Sequence, residues 1–463
     1  MFYISITLIG LDYTESLRKP ESQGCLSGFF NAVNLSYLQV VSFLRPIFFI
    51  LSYKIQFIYF MQSQSHLSQP KQIILGVQFL FVAFGATVLV PLLVGINPSI
   101  ALFSAGVGTL IFHLITKGKV PVFLGSSFAF IAPITAATEK FGWSGALSGI
   151  VAVGVVYSLV SMLVKWRGVG FIKKIFPSVV VGPVIMVIGL SLASVGVGMA
   201  KSNWIISGVS LLSAIIAVVY FKGIIKLIPV FVGIVVGYVL SITMGKVDFT
   251  LISEAAWFSL PEFTTPTFSW EAILFMIPVA IAPLIEHVGD IYAIGAVAEK
   301  DFMKDPGLDR TMLGDGIATG LAGLMGSVPN TTYSEVTGAI ELTKVTDPKV
   351  LRISAITAII FSLVGKVSGF LKSIPVEVLG GIMLLLFGMI ASVGVKTLIE
   401  SKADFHKTRN MVIVSVILTV GIGGASIDFG SFSLAGIGLA SVVGVILNLI
   451  LPGKSKEVHM DGE

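Results

Sequence analysis

The chain is a succession of apolar stretches, each close to the 17–25 residues that carry an α-helix across a bilayer. They fall at 72–95, 99–116, 121–137, 144–164, 175–200, 204–221, 227–244, 272–298, 311–327, 329–344, 351–371, 375–395, 411–424 and 433–452, fourteen in all. Hydrocarbon offers no partner to a backbone N–H or C=O, so such stretches must close their hydrogen bonds internally, as helices. A soluble fold is excluded on related grounds. Only 12% of the residues are charged, about half the share of a soluble domain. Forty-nine glycines suit helices that approach one another closely. The expectation is an all-α polytopic membrane protein with 14 transmembrane spans.

The charges between the spans set an orientation. Alternate connections hold Lys117 and Lys119; Lys165, Arg167, Lys173 and Lys174; Lys222 and Lys226; Lys300, Lys304 and Arg310; Lys344, Lys349 and Arg352; and Lys396, Lys402, Lys407 and Arg409. The other side holds Lys140, Lys201, Lys246, Lys366 and Lys372, so the bias is eighteen to five. Basic residues collect on the cytoplasmic side, which puts both ends of the body there. The net charge of +5 is therefore a topology signal and implies no nucleic-acid partner. The longest outer connection, 246–270, carries Pro261, Pro266 and several aromatics, and is expected on the membrane surface. A lone cysteine, Cys25, excludes an intrachain disulfide framework. Residues 1–60 mix apolar runs with charges and read as an N-terminal extension, with Met61 as the expected true start. The first basic residue, Arg18, follows the apolar run, which argues against a signal peptide.

Seven spans precede the 246–270 connection and seven follow it, and an odd number inverts the second half relative to the first. The third span of each half is irregular. One reads Pro121-Val122-Phe123-Leu124-Gly125-Ser126-Ser127-Phe128, the other Pro329-Asn330-Thr331-Thr332-Tyr333-Ser334-Glu335. Interrupted segments at matching places in inverted repeats point to a transporter's midplane site.

Ionisable residues inside spans are costly and read as functional. Glu286 and Asp290 stand i,i+4 on one helix face, with His287 about 100° round from Glu286. This group can hold a proton beside a polar ligand. Pro329 discourages helix before it, so a helix starting near Ser334 would aim free N–H groups into the cavity, with Glu335 at its positive end. Ser334 reads equally as an ordinary helix cap. A ring bearing alternating N–H and C=O groups suits such a site, with Phe128 and Tyr333 able to cover its faces. No metal-ligand spacing, phosphate loop, dinucleotide fingerprint or nucleophile elbow stands in convincing context. The expectation is no cofactor, no metal and no enzyme.

Residues 71–452 resemble the nucleobase–ascorbate transporter (nucleobase:cation symporter-2) family, its bacterial uracil permease branch most of all. The resemblance lies in FGATVLVP (84–91), KGKVPVFLGSSFAF (117–130), IEHVGD (285–290), KDPGLDR (304–310), PNTTYSE (329–335) and LIESKADFHKTRN (398–410). It implies two inverted seven-span repeats, with short β-strands in the broken spans 3 and 10. The repeats would occupy 71–245 and 271–452, with a cytoplasmic tail at 453–463. Spans 1–4 and 8–11 would form a substrate-carrying core. Spans 5–7 and 12–14 would form a gate that often mediates homodimerisation. It further implies uracil import with protons across the plasma membrane. Glu286, Glu335, Phe128, Tyr333 and Ser334 would bind the base, and Glu286, His287 and Asp290 would couple the proton. Several positions depart from the uracil branch, among them Phe79, Ser334 and Val336. Asp290 replaces a common His, and Phe387 stands where a Tyr can contact substrate. They keep open a purine (xanthine-type) permease on the same scaffold. An anion exchanger or channel of related fold is a further alternative, set against the repulsion of an anion by Glu286 and Glu335.

Overall fold

The computed structural model describes residues 68–168, 170, 174–428 and 433–453. The expectations for residues 1–60, the start at Met61 and the tail beyond 453 lie outside the described residues. Helices α1 (Gln69–Val94), α2 (Pro98–Ile115), α3 (Ile131–Arg167), α4 (Ser178–Ala200), α7 (Trp270–Ala298) and α12 (Val376–Glu400) are long and apolar enough to cross a bilayer. Shorter apolar helices are α5 (Trp204–Tyr220), α6 (Pro229–Thr243), α13 (Thr408–Ile422) and α14 (Gly436–Ile450). Between these run α8 (Leu308–Met325), α9 (Ser334–Thr343), α10 (Pro348–Leu363) and α11 (Gly365–Lys372). The chain is an all-α polytopic membrane protein.

Local chemistry fixes the helix ends. Asn97 accepts from the Ser99 N–H to open α2, and Asp347 accepts from the Lys349 N–H to open α10. Both helices begin with a proline, where its missing donor costs nothing. Within α3 the chain turns at Gly142, whose φ of 72° no β-carbon would favour. The kink falls between the expected spans 121–137 and 144–164. The expected span 351–371 is broken in two. Val364 is extended, its neighbour Gly365 donates to Trp257 O, and Ser259 donates to Leu363 O. The connection 246–270 thus interrupts the helix by pairing with it.

Small residues bring the helices together. Gly154 of α3 faces Gly316 and Gly320 of α8, and a β-carbon at Gly154 would stand 2.5 Å from Gly320 N and 2.6 Å from Gly316 O. Four-residue spacing of glycines lets helix backbones touch without hydrophobic driving force in lipid. Gly182 of α4 meets Gly394 and Leu398 of α12 in the same way.

Two short strands cross inside this bundle. β1 (Leu124–Ser126) pairs antiparallel with β2 (Asn330–Thr332), with Leu124 opposite Thr332, Gly125 opposite Thr331 and Ser126 opposite Asn330. All six residues are buried. A second hairpin, β3 (Ser426–Asp428) with β4 (Ser433–Ala435), precedes α14, so the first three residues of the expected span 433–452 are strand and not helix. At one end of the bundle Lys119 donates to both Asp305 oxygens, at 2.5 and 2.6 Å.

Gly154→Val should lower stability by about 1–3 kcal/mol through overpacking against backbone, read as a fall in detergent unfolding temperature. Gly198→Val, with nothing within 4 Å, should leave that temperature unchanged. The bond from Lys119 holds the Asp305 carboxyl below the usual carboxylate range. A depressed group contributes stability above its unfolded pKa of about 3.9 and loses it as pH falls through the folded value. Parent and Asp305→Asn should therefore differ by a constant amount from about pH 5 to pH 8 and converge in strong acid. Curves that never converge would contradict the pairing.

Candidate functional site

The two strands bring together segments some two hundred positions apart in the chain. After β1, Ser127 donates to Pro329 O at 3.0 Å, and a single tight turn, Phe128–Phe130, leads into α3. After β2, Tyr333 is extended and α9 begins at Ser334. The strands are antiparallel, so the two half-helices leave the pair in opposite directions. Their first N–H groups lack partners in their own helices. Each start is therefore a site of positive potential inside the membrane.

Asn330 is a fastener. Its side-chain Nδ2 donates to Ser104 O at 3.0 Å, and its carbonyl accepts from Thr319 Oγ1 at 2.6 Å. Tyr333 is a fastener too. Its hydroxyl donates to Ser126 O at 2.8 Å and accepts from Thr87 Oγ1 at 3.3 Å. Its ring lies over Gly125, where a β-carbon would stand 2.5 Å from the phenol oxygen. Only 5% of Tyr333 is exposed, so it holds the strand pair rather than covering a ligand's face.

The α7 cluster divides three ways. Glu286 is half-buried, while Glu335, at the start of α9, is exposed. Glu286 lies within electrostatic reach of Glu335. Gly289, one turn beyond Glu286, has nothing within 4 Å of an added β-carbon. Both carboxylates are therefore accessible, Glu286 in part and Glu335 more fully. Asp290 faces the strands and accepts from Thr332 Oγ1 at 2.7 Å. His287 is fully buried and points toward α8. Its Nε2 stands 3.1 Å from Thr311 Oγ1, and its Nδ1 3.1 Å from Asp315 Oδ2. That last contact is close enough for an ion pair but not aligned as a hydrogen bond, so both Asp315 oxygens lack a donor. Phe128 is half-buried and meets Phe387 of α12 edge to face at 6.3 Å. It is the aromatic at the first half-helix start. The backbone of Ser334 opens α9.

Asp315 escaped the sequence reading. Its signal was present, since it is an acidic residue inside the expected span 311–327 and such residues are functional by default. Thr332 and Thr87 stood in segments already singled out, but their bonds carried no signal, because the partners lie 42 and 246 positions away. Among the described residues no cluster of ligands could hold a metal ion.

Accessible carboxylates where two interrupted membrane segments cross define a solute carrier. A family model described as "Permease family" matches residues 70–428, and the chain belongs to that family, the nucleobase:cation symporter-2 group. It is a permease and not an enzyme. The chain is 52% identical over 403 residues to a "Probable uracil permease" of Pasteurella multocida, covering 85% of this chain and 96% of that one. It is 43% identical over 404 residues to the "Uracil permease" of Escherichia coli K12, covering 84% and 94%. Among solved structures it resembles the transmembrane domain of the cyanobacterium bicarbonate transporter BicA. The TM-score is 0.55 at 13% identity, over 82% of this chain and 96% of that one, a likeness of fold alone.

Tyr333→Phe should cost about 1 kcal/mol, the typical worth of a buried hydrogen bond. Gly125→Ala should cost more, because the Tyr333 ring is itself held. Unfolding temperatures in detergent that place Gly125→Ala level with the parent would contradict this packing.

Proposed function

We propose that this permease imports uracil together with protons across the plasma membrane. The observation that carries the reading is the pair of accessible carboxylates, Glu286 and Glu335, within electrostatic reach of each other at the start of α9. Uracil presents ring N–H donors and carbonyl acceptors. The carboxylates of Glu286 and Glu335 accept from the N–H groups. The Phe128 N–H and the free N–H groups at Ser334 and Glu335 donate to the carbonyls, and the Phe128 ring lies against the base. Tyr333 acts from behind by keeping β1 on β2. Relatives named as uracil permeases, matched over most of both chains, support uracil over the purine alternative.

The proton sits on the Glu286–Asp290 pair. Asp290 is tied to the strand by Thr332, so protonation there is sensed by the backbone that carries the half-helix. His287 backs the pair through Asp315. With proton and neutral base aboard, the site crosses the membrane with less net charge, and a charge moved through lipid is costly.

The architecture that goes with this reading is fourteen spans in two inverted seven-span repeats, 71–245 and 271–452, joined by the outer connection 246–270. Spans 1–4 and 8–11 form the moving core, and spans 5–7 and 12–14 the gate. The gate also carries a homodimer contact, and both ends of the 61–463 body face the cytoplasm. The crossing of β1, in the first half, with β2, in the second, supports the repeat. The eighteen-to-five distribution of basic residues supports the orientation.

Radiolabelled uracil uptake in cells lacking their own uracil permease tests this. Uptake should fall as external pH rises and collapse with a protonophore, and excess xanthine should not compete. Uptake indifferent to pH and protonophore would remove the proton. Block by xanthine with no effect of unlabelled uracil would move the protein to purines.

A further inference from the structure

The segment from Met244 to Ser269 leaves α6 and reaches α7 along the outer side in the proposed orientation, on which this inference rests. It is a strap with two distinct sides. One side is bonded to α2, α3 and the junction of α10 with α11. Phe258 pairs as a β-bridge with Val364, and Trp257 O accepts from the Gly365 N–H at 3.2 Å. Thr267 donates to Ser144 O at 2.9 Å, and Ser148 accepts from the Ser269 N–H at 3.3 Å. Phe263 meets Phe103 of α2 edge to face at 5.5 Å. Lys366 of α11 works as a clasp. Its Nζ donates to Ile252 O and Ser253 O, at 2.8 and 2.9 Å, so it closes the carbonyl end of the single turn Thr250–Ser253. The same ammonium lies 5.9 Å from the Trp257 ring centroid.

The other side is aromatic and uncovered. Trp257 is 79% exposed, Phe268 76% and Trp270 57%. Phe268 and Trp270 stack with planes 22° apart. Acidic residues are interleaved, with Asp248, Glu254 and Glu262 exposed. Trp270 fixes the level of this face, because it is the first residue of the membrane-crossing helix α7. Neither water nor hydrocarbon alone suits tryptophans alternating with carboxylates. The headgroup boundary suits both, and amphipathic rings concentrate there.

We infer that the strap is a lipid-binding surface. It seats the outer ends of α2, α3, α10 and α11 in the headgroup layer of the outer leaflet, with Trp257, Phe268 and Trp270 as the inserted groups. Because the strap is bonded to those helices, its depth in the bilayer sets theirs.

The test leaves Trp257 as the only tryptophan, with Trp143, Trp166, Trp204 and Trp270 changed to Phe, in liposomes of phosphatidylcholine. Lipids brominated near the glycerol end should quench its emission about twofold more than lipids brominated near the chain end, as an interfacial ring requires, and external iodide should quench little. Full quenching by iodide with none by either lipid would place the strap in water and overturn the inference. Strongest quenching by the deep bromines would overturn it too, as would silence from all three quenchers, which means a protein cover. If the fourfold variant does not fold, Leu260→Cys with Cys25→Ser, carrying an environment-sensitive fluorophore, gives the same three readings. In either protein Lys366→Met should shift the probe toward iodide. Uracil takes no part in this measurement, so its outcome is independent of the substrate reading.

Discussion

Three residues of β1 laid against three of β2 hold the rest in place. A backbone that stops being helix within a membrane leaves donors and acceptors without water to satisfy them, at several kcal/mol for each unsatisfied group. Here two interrupted segments satisfy each other. That solution has a consequence for function. It brings the starts of two half-helices side by side, where their first N–H groups have no partners in their own helices. The fasteners all serve this crossing. Asn330 ties it to α2 and α8, Tyr333 ties β2 to β1, and Thr332 ties it to Asp290.

The acidic groups around the crossing then separate by what faces them. Glu286 and Glu335 are accessible, Asp290 bonds the strand, and Asp315 is enclosed with His287. Four carboxylates this close repel one another if all are charged, and low dielectric magnifies that repulsion. A proton shared among them, with an uncharged base offering N–H groups, relieves it. On the proposed reading, substrate and proton are thereby favoured together, as symport requires. Phe128, at the first half-helix start, meets Phe387 of α12 edge to face, which links α12 to this region.

Much of this was legible in the sequence, and the reasons differ from residue to residue. The broken segments announced themselves because Pro329 and the run Asn330 to Thr332 cannot continue a helix comfortably. Glu286 and Asp290 stood out because charge is rare in spans. The helix wheel already set His287 aside from Glu286, and the structure shows where it points. Asp315 was overlooked although the same rule covers it. Tyr333 was legible as an aromatic near the site but not as a fastener, because that role depends on Gly125, more than two hundred residues earlier. The break at Val364 was hidden for a related reason. Its cause is the strap at Trp257 to Ser259, and hydropathy along one helix carries no trace of a partner from elsewhere. Spans set by composition were readable locally, while contacts across long sequence separations were not.

The most direct measurement is equilibrium binding of radiolabelled uracil to the purified protein, with Glu286→Gln, Glu335→Gln and Glu341→Gln beside the parent. The account predicts that the first two each weaken binding at least about a hundredfold, roughly the loss of a charge-assisted hydrogen bond with its partner left unpaired. Glu341, two turns further along α9, should be dispensable. Parental affinity in Glu286→Gln or Glu335→Gln, with the protein folded, would contradict the claim that these two carboxylates form the site.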